Sequence, residues 1–234
     1  MRETVVQSTP AARPRPGRST PDLRKIRLLA EMVTLYIGVP LVLALALPAS
    51  TMFTILLGVT VLGLALLHLT PGFHWHDLLH GWHRIEWPIV LGIGVVTLAA
   101  GSWLVFLTNR EAWFGLLLHR PGMMITILLL YPLLSALPQE LVFRPLFFRR
   151  YAEILPATPH AILLNAALFS FAHLLYWSWI VAAMTFVGGI AFAWAYEVRR
   201  NFPMAVALHA VSGSIVFIVG LGMFFYSGNI VRPF

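Results

Sequence analysis

The chain has 234 residues, of which 59% are hydrophobic and 11% charged, with a mean hydropathy of +0.82; ordinary water-soluble domains hold about 45–50% apolar residues, so water is not its main solvent. The formal net charge of +7 does not point to nucleic acid, because the Arg and Lys residues stand beside hydrophobic runs and are not interleaved with solvent-facing aromatics. Cysteine is absent, which excludes disulfide frameworks, thiolate metal sites, cysteine nucleophiles and lipidation on cysteine, and leaves hydroxyls, imidazoles and carboxylates for chemistry.

Met1 to Asp22 is rich in Pro, Arg, Ser and Thr, a composition that buries too little apolar area to offset its ordering entropy, and it is expected to be a disordered basic tail. Residues 23–234 are expected to form one transmembrane domain. Apolar runs follow at Ile26–Leu47, Thr51–Leu69, Trp87–Leu107, Gly122–Leu137, His160–Trp177, Ile180–Val198 and Pro203–Phe225, each near the twenty residues that cross a bilayer as a helix. Met1 to Asp22 lacks the short apolar core and small-residue cleavage site of a signal peptide, and Ile26–Leu47 is long enough to span a bilayer, so the first helix is expected to be retained. Turn signals separate the runs, among them Thr70-Pro71-Gly72 and Arg120-Pro121-Gly122. The fold class read from this pattern is all-α, a polytopic bundle of about seven or eight helices, with which a short half-membrane helix around Leu141 to Leu155 is compatible. With the amino terminus in the cytoplasm, alternation puts Arg84, Arg149, Arg150, Arg199 and Arg200 on the cytoplasmic side and Arg110, Arg120 and Arg232 outside, as the positive-inside rule asks. Compact size leans toward a prokaryotic inner (plasma) membrane.

Between the second and third runs lies Phe73-His74-Trp75-His76-Asp77-Leu78-Leu79-His80-Gly81-Trp82-His83-Arg84. As an α-helix this would put His76, His80 and His83 on one face, a possible zinc set with Asp77. Trp75, Leu78, Leu79 and Trp82 favour instead an amphipathic segment anchored at the interface.

Three later segments each place one reactive polar group at membrane depth. In Pro138-Gln139-Glu140-Leu141-Val142-Phe143-Arg144 a carboxylate and a guanidinium four apart share a helix face and can pair where lipid solvates neither. In Phe169-Ser170-Phe171-Ala172-His173, His173 follows Phe169 by one turn and Asn165 by two, so the three share a stripe. The third is His209 in the last run. Each alone reads as a packing residue or an interfacial ion pair. A carboxylate and two imidazoles that converge in a helix bundle are the parts needed to activate water and stabilise an oxyanion.

In order and context these segments resemble the CPBP family of intramembrane proteases, which includes the CAAX prenyl endopeptidases and the bacterial Abi-type immunity proteins. The family pattern is Glu-Glu-x-x-x-Arg, then Phe-x-x-x-His, then His-x-x-x-Asn or Asp. Glu140, Arg144, Phe169, His173 and His209 match it, over approximately Leu128 to the carboxyl end. Gln139 stands where the first glutamate, the family's water activator, is expected, and Gly213 where the final Asn or Asp is expected. Ser212, three residues after His209, is a nearby donor. The resemblance implies a glutamic-type intramembrane endopeptidase acting on a membrane-associated protein or peptide. Its catalytic set would be Glu140, His173, His209 and Arg144, with Gln139, Phe169, Ser212 and Asn165 on the substrate side. No cofactor is implied: the mechanism is expected to be metal-independent, with zinc left open, and no nucleic acid takes part. In this scheme Glu140 takes a proton from water, His173 positions it and His209 stabilises the oxyanion. If Arg144 holds Glu140 tightly, the acid is a poor base. The Gln139 and Gly213 departures keep open an inactive scaffold or immunity protein, and an intramembrane metal or proton relay is a third class. Gly188-Gly189 with Ala182, Ala183 and Ala191 is read as close packing in preference to a substrate gate.

Overall fold

The computed structural model describes residues 22–234, and the expected disordered tail falls outside them apart from Asp22. Among the described residues the architecture is all-helical, as expected, with seven main helices. Six are long and apolar enough to cross a membrane: α1 (Leu23–Leu45), α2 (Ala49–His68), α3 (Trp87–Thr108), α4 (Pro121–Arg150), α6 (Trp179–Glu197) and α7 (Phe202–Val219). Between the fourth and fifth of these lies the shorter α5, Thr158–Ala172. Outward faces carry Phe53, Leu57, Val61, Leu91, Val95, Trp103, Ile125, Leu129 and Leu133, all exposed, an arrangement that suits lipid as the surrounding solvent. The chain is an integral, multi-pass membrane protein.

The helix starts follow local chemistry. Asp22 accepts a hydrogen bond from the Arg24 amide at the head of α1 (3.1 Å), Ser178 caps α6, and Asn201 accepts from the Met204 amide at the head of α7 (2.9 Å). Each satisfies an orphan N–H of a first turn.

Prolines shape α1 and α4 more than apolar periodicity does. Pro40 lacks the N–H that would bond the Tyr36 carbonyl, and the chain runs as a π-helix over Thr34–Gly38. α4 contains Pro132, Pro138 and Pro145, and π-helical stretches at Pro132–Ala136 and Val142–Arg150 flank the α-helical turn Leu137–Leu141. The displaced carbonyls find partners in neighbouring helices: the Tyr36 hydroxyl donates to Val142 O and the Asn165 amide to Phe143 O, both at 2.7 Å. Such rescue is what lets proline stand inside a membrane helix.

Two expectations are corrected here. The fourth span does not end at Leu137 with a separate short helix after it; π-widening lets one helix absorb all three prolines and continue for 30 residues. The His160–Trp177 run is not one helix either. α5 ends at Ala172, His173 is its C-cap, a 3-10 turn covers Leu174–Tyr176, and Trp177 turns the chain back with a positive φ of 47°.

The two ends of the bundle separate as the alternation of sides requires. At one end Arg24 pairs with Glu153 (2.6 Å), Arg150 with Glu31, and Arg199 with Glu86. At the other, Arg232 donates to the Leu47 carbonyl and the Phe114 amide to the Val219 carbonyl. Close helix approach depends on small residues. A Cβ at Gly189 would lie 3.0 Å from the Ala166 Cα, so α6 and α5 meet backbone to backbone there; at Gly94 and Gly101, α3 meets Val211 and Val219 of α7. Gly189 is thus a packing residue, whereas Gly188 lines a cavity.

Candidate intramembrane active site

α4, α5 and α7 bring the motif residues together. Glu140 is fully buried and accepts from Arg144 Nε at 2.8 Å and Nη2 at 3.3 Å, and its Oε1 meets His209 Nδ1 at 2.9 Å. Arg144, equally buried, bonds Asn165 Oδ1 through Nη1. Its guanidinium lies 5.3 Å from the Phe169 ring centre, within cation–π range. Carboxylate and guanidinium are both stripped of water, and the bidentate geometry with added donors is what makes such burial tolerable.

This arrangement restricts what each group can do. Both Glu140 oxygens already accept charge-assisted bonds, and Glu140 is absent from the lining of the adjoining cavity. Asn165, expected on the substrate side, has its oxygen on Arg144 and its nitrogen on the Phe143 carbonyl. It is a strut between α5 and the π-widened turn of α4. Arg144, expected among the catalytic groups, also lies behind the cavity wall.

The imidazoles face the other way. Glu140 anchors His209 Nδ1, which therefore carries the proton and leaves Nε2 as the uncommitted nitrogen. His173 Nδ1 donates to the Phe169 carbonyl at 2.8 Å, which leaves its Nε2 uncommitted as well. Phe169 stands between the rings, with centroids 4.9 Å from His173 and 5.5 Å from His209, both edge-on; Phe192 stacks on His209 at 4.8 Å. Both imidazoles, Phe169, Gln139 and Ser212 line one cavity of about 810 Å³. Most of its remaining lining is apolar and comes from α2, α3, α4, α6, α7 and the segment after α7, with Thr97, Thr126, Thr185 and Tyr176 among the polar exceptions. Gln139 donates to Ser135 Oγ at 2.9 Å, and the buried Ser212 Oγ has no hydrogen-bond partner among the described residues.

One lining residue escaped the sequence reading. Tyr131 faces His209 at 6.1 Å between ring centres, and its hydroxyl holds the space beside Gly213: a Cβ there would sit 2.0 Å from the Tyr131 oxygen. Glycine at 213 is thus a steric requirement of Tyr131. In a straight α-helix Tyr131 and Gln139, eight apart, would be offset by about 80°. The π stretch at Pro132–Ala136 adds a residue to the intervening turn and brings the offset to about 20°. The signal was present as Tyr131-Pro132, with proline marking the irregular turn.

Residues 121–215 match the family model described as type II CAAX prenyl endopeptidase Rce1-like. No curated protein and no solved structure matches the chain. The matched segment runs from the first residue of α4 into α7 and includes Tyr131, Gln139, Glu140, Arg144, Asn165, Phe169, His173, His209 and Ser212, while α1 to α3, part of the cavity wall among them, lie outside it. Over residues 121–215, less than half of its length, the chain is thus similar to the CAAX-type prenyl endopeptidases.

Proposed function

We propose that the chain is an intramembrane endopeptidase that hydrolyses a peptide bond of a membrane-associated protein or peptide, with His209 as the base that activates water and Glu140 acting through it. The observation that carries this reading is the 2.9 Å contact between Glu140 and His209 Nδ1 behind a cavity that the same imidazole lines. A carboxylate with three N–H donors is stabilised as the anion and is a weak base. It fixes the tautomer of His209, leaves a lone pair on Nε2, and stabilises the imidazolium that forms when Nε2 takes a proton from water.

The hydroxide then adds to the scissile carbonyl, and the proton on His209 passes to the departing amine. His173, with its tautomer fixed by the Phe169 carbonyl, accepts the second water hydrogen bond and orients the attack. Two imidazoles held as acceptors do not themselves supply donors to the oxyanion. The hydroxyls of Tyr131 and Ser212 and the Gln139 amide, all lining the same cavity, fill that need. This reading replaces direct proton abstraction by Glu140, and it uses no metal.

The apolar remainder of the cavity suits a substrate that arrives laterally from lipid, such as an unwound helix end or a lipid-modified carboxyl terminus. We place the amino terminus in the cytoplasm, with Arg84, Arg149, Arg150, Arg199 and Arg200 on that side of a prokaryotic inner membrane.

The test is cleavage of a candidate membrane substrate by the purified protein in proteoliposomes. Wild type is expected to cleave; His209→Ala and Glu140→Gln are expected to lose cleavage at least about 10²-fold, the usual share of a general base. Retained cleavage in either variant rejects the roles assigned. A second reading, a binding scaffold without turnover, is favoured by Gln139 at the position of the family's water activator. It predicts substrate capture without a new terminus in wild type.

A further inference from the structure

A second gathering of imidazoles about a carboxylate lies outside this site, in the loop joining α2 to α3. Trp75–Leu79 is a 3-10 helix, with three residues per turn, so side chains three apart eclipse. His74, Asp77 and His80 consequently form a row, and His76 joins Asp77 from the adjacent position. His76 Nε2 lies 3.2 Å and His80 Nδ1 3.7 Å from Asp77 Oδ1, while His74 Nδ1 lies 4.0 Å from Oδ2. One ligand atom from each of His76, Asp77 and His80 falls within 4.8 Å of the other two. The α-helical grouping of His80 with His83 does not form. Gly81, at φ 95°, ends the row, and His83 belongs to a separate 3-10 turn, Trp82–Arg84.

The loop is held from several directions. Phe73 and Leu78 pack against the hydrophobic core, Trp75 Nε1 donates to His68 Nδ1 at 3.3 Å, and the Asn201 amide donates to the Gly81 and Arg84 carbonyls at 3.0 and 3.1 Å. A Cβ at Gly81 would lie 2.7 Å from Asn201 Cγ, so the break that expels His83 is built into the contact with α7. Donors on an anchored backbone lose little freedom when they close on an ion.

Imidazole nitrogens and one carboxylate suit zinc and its neighbours and are a poor set for magnesium or calcium. Zinc bonds of 2.0–2.2 Å in a tetrahedron place ligand atoms roughly 3.4 Å apart, a spacing that the 3.2 and 3.7 Å separations bracket. We propose that His76, Asp77 and His80, with His74 as the adjoining fourth donor, bind one divalent transition-metal ion of the zinc class. The site lies on the loop and is separate from the cavity between α4 and α7. Its histidines are exposed and Asp77 is partly so, so water completes any open coordination position.

The test is equilibrium dialysis of the full chain, purified in detergent without a histidine tag, against Zn²⁺ with Mg²⁺ as control. One zinc per chain and no magnesium is the expected result. His76→Ala/His80→Ala should weaken zinc binding by more than about tenfold, since even groups that only orient a ligand are worth that much. Asp77→Asn, which keeps the side chain's size, should weaken it as well, and it stands in should the double variant fold poorly. His83→Ala should bind as wild type does. Absence of stoichiometric zinc, zinc retained in both the double variant and Asp77→Asn, or an equal loss in His83→Ala overturns the proposal.

Discussion

Two regions of this molecule set imidazole against carboxylate, and they differ in almost everything else. In the bundle, Glu140 meets His209 at 2.9 Å with no exposure of the acid and with Arg144 on its other side. In the α2–α3 loop, Asp77 meets three histidines that are each about two-thirds exposed. The buried pair is obligatory, because either charge left alone in an apolar interior forfeits its solvation. The exposed cluster is optional, because water substitutes for any partner. The same pair of residue types is therefore a closed, buried contact in one place and an open, water-accessible cluster in the other.

The largest effect should come from breaking the buried side. Glu140→Ala leaves Arg144 uncompensated in a dry site and is expected to cost about 3–5 kcal/mol, read as a fall in the thermal unfolding midpoint in detergent. A loss no greater than that of a surface substitution would mean that water reaches the pair. Next, Tyr131→Phe removes one donor facing the cavity and should lower kcat about 10²-fold with KM little changed, the stability being nearly that of wild type. An unaltered kcat would place the oxyanion elsewhere on the wall.

Gly213→Ala drives a methyl group into the Tyr131 hydroxyl and should destabilise by about 1–3 kcal/mol, the usual cost of overpacking. In a Tyr131→Ala background that cost should disappear, which a double-mutant cycle of unfolding midpoints would register. Smallest of all, Asp77→Ala in metal-free buffer is expected to stay within about 0.5 kcal/mol of wild type, as exposed substitutions do. A larger loss would show that the loop carboxylate already has a structural duty.

Much of the frame was legible in advance. Six of the seven apolar runs became helices long enough to cross a membrane, and the His160–Trp177 run gave the shorter α5, because a bilayer demands internally satisfied backbone over about twenty residues and the composition announces where that happens. Errors fell where backbone irregularity intervened. The fourth run was read to Leu137, and α4 continues through π turns to Arg150; Ala172-His173 looked like mid-helix and became a cap. In the loop, a 3-10 turn exchanged His83 for His74 as the neighbour of Asp77.

Composition and spacing alone determined that this is a membrane-embedded helical protein, which ionisable residues lie within its apolar runs, and which polar and aromatic residues share a helix: Glu140 with Arg144, Phe169 with His173. Only the tertiary structure decided that Glu140 is closed off from the cavity, that His209 comes between it and the lining, that Asn165 is a strut, and that Tyr131 requires glycine at 213. The physical reason is range. Same-helix neighbours follow from a repeat of 3.6 residues, whereas Glu140 and His209 stand 69 residues apart and meet only through the way α4 and α7 pack, which no local spacing encodes.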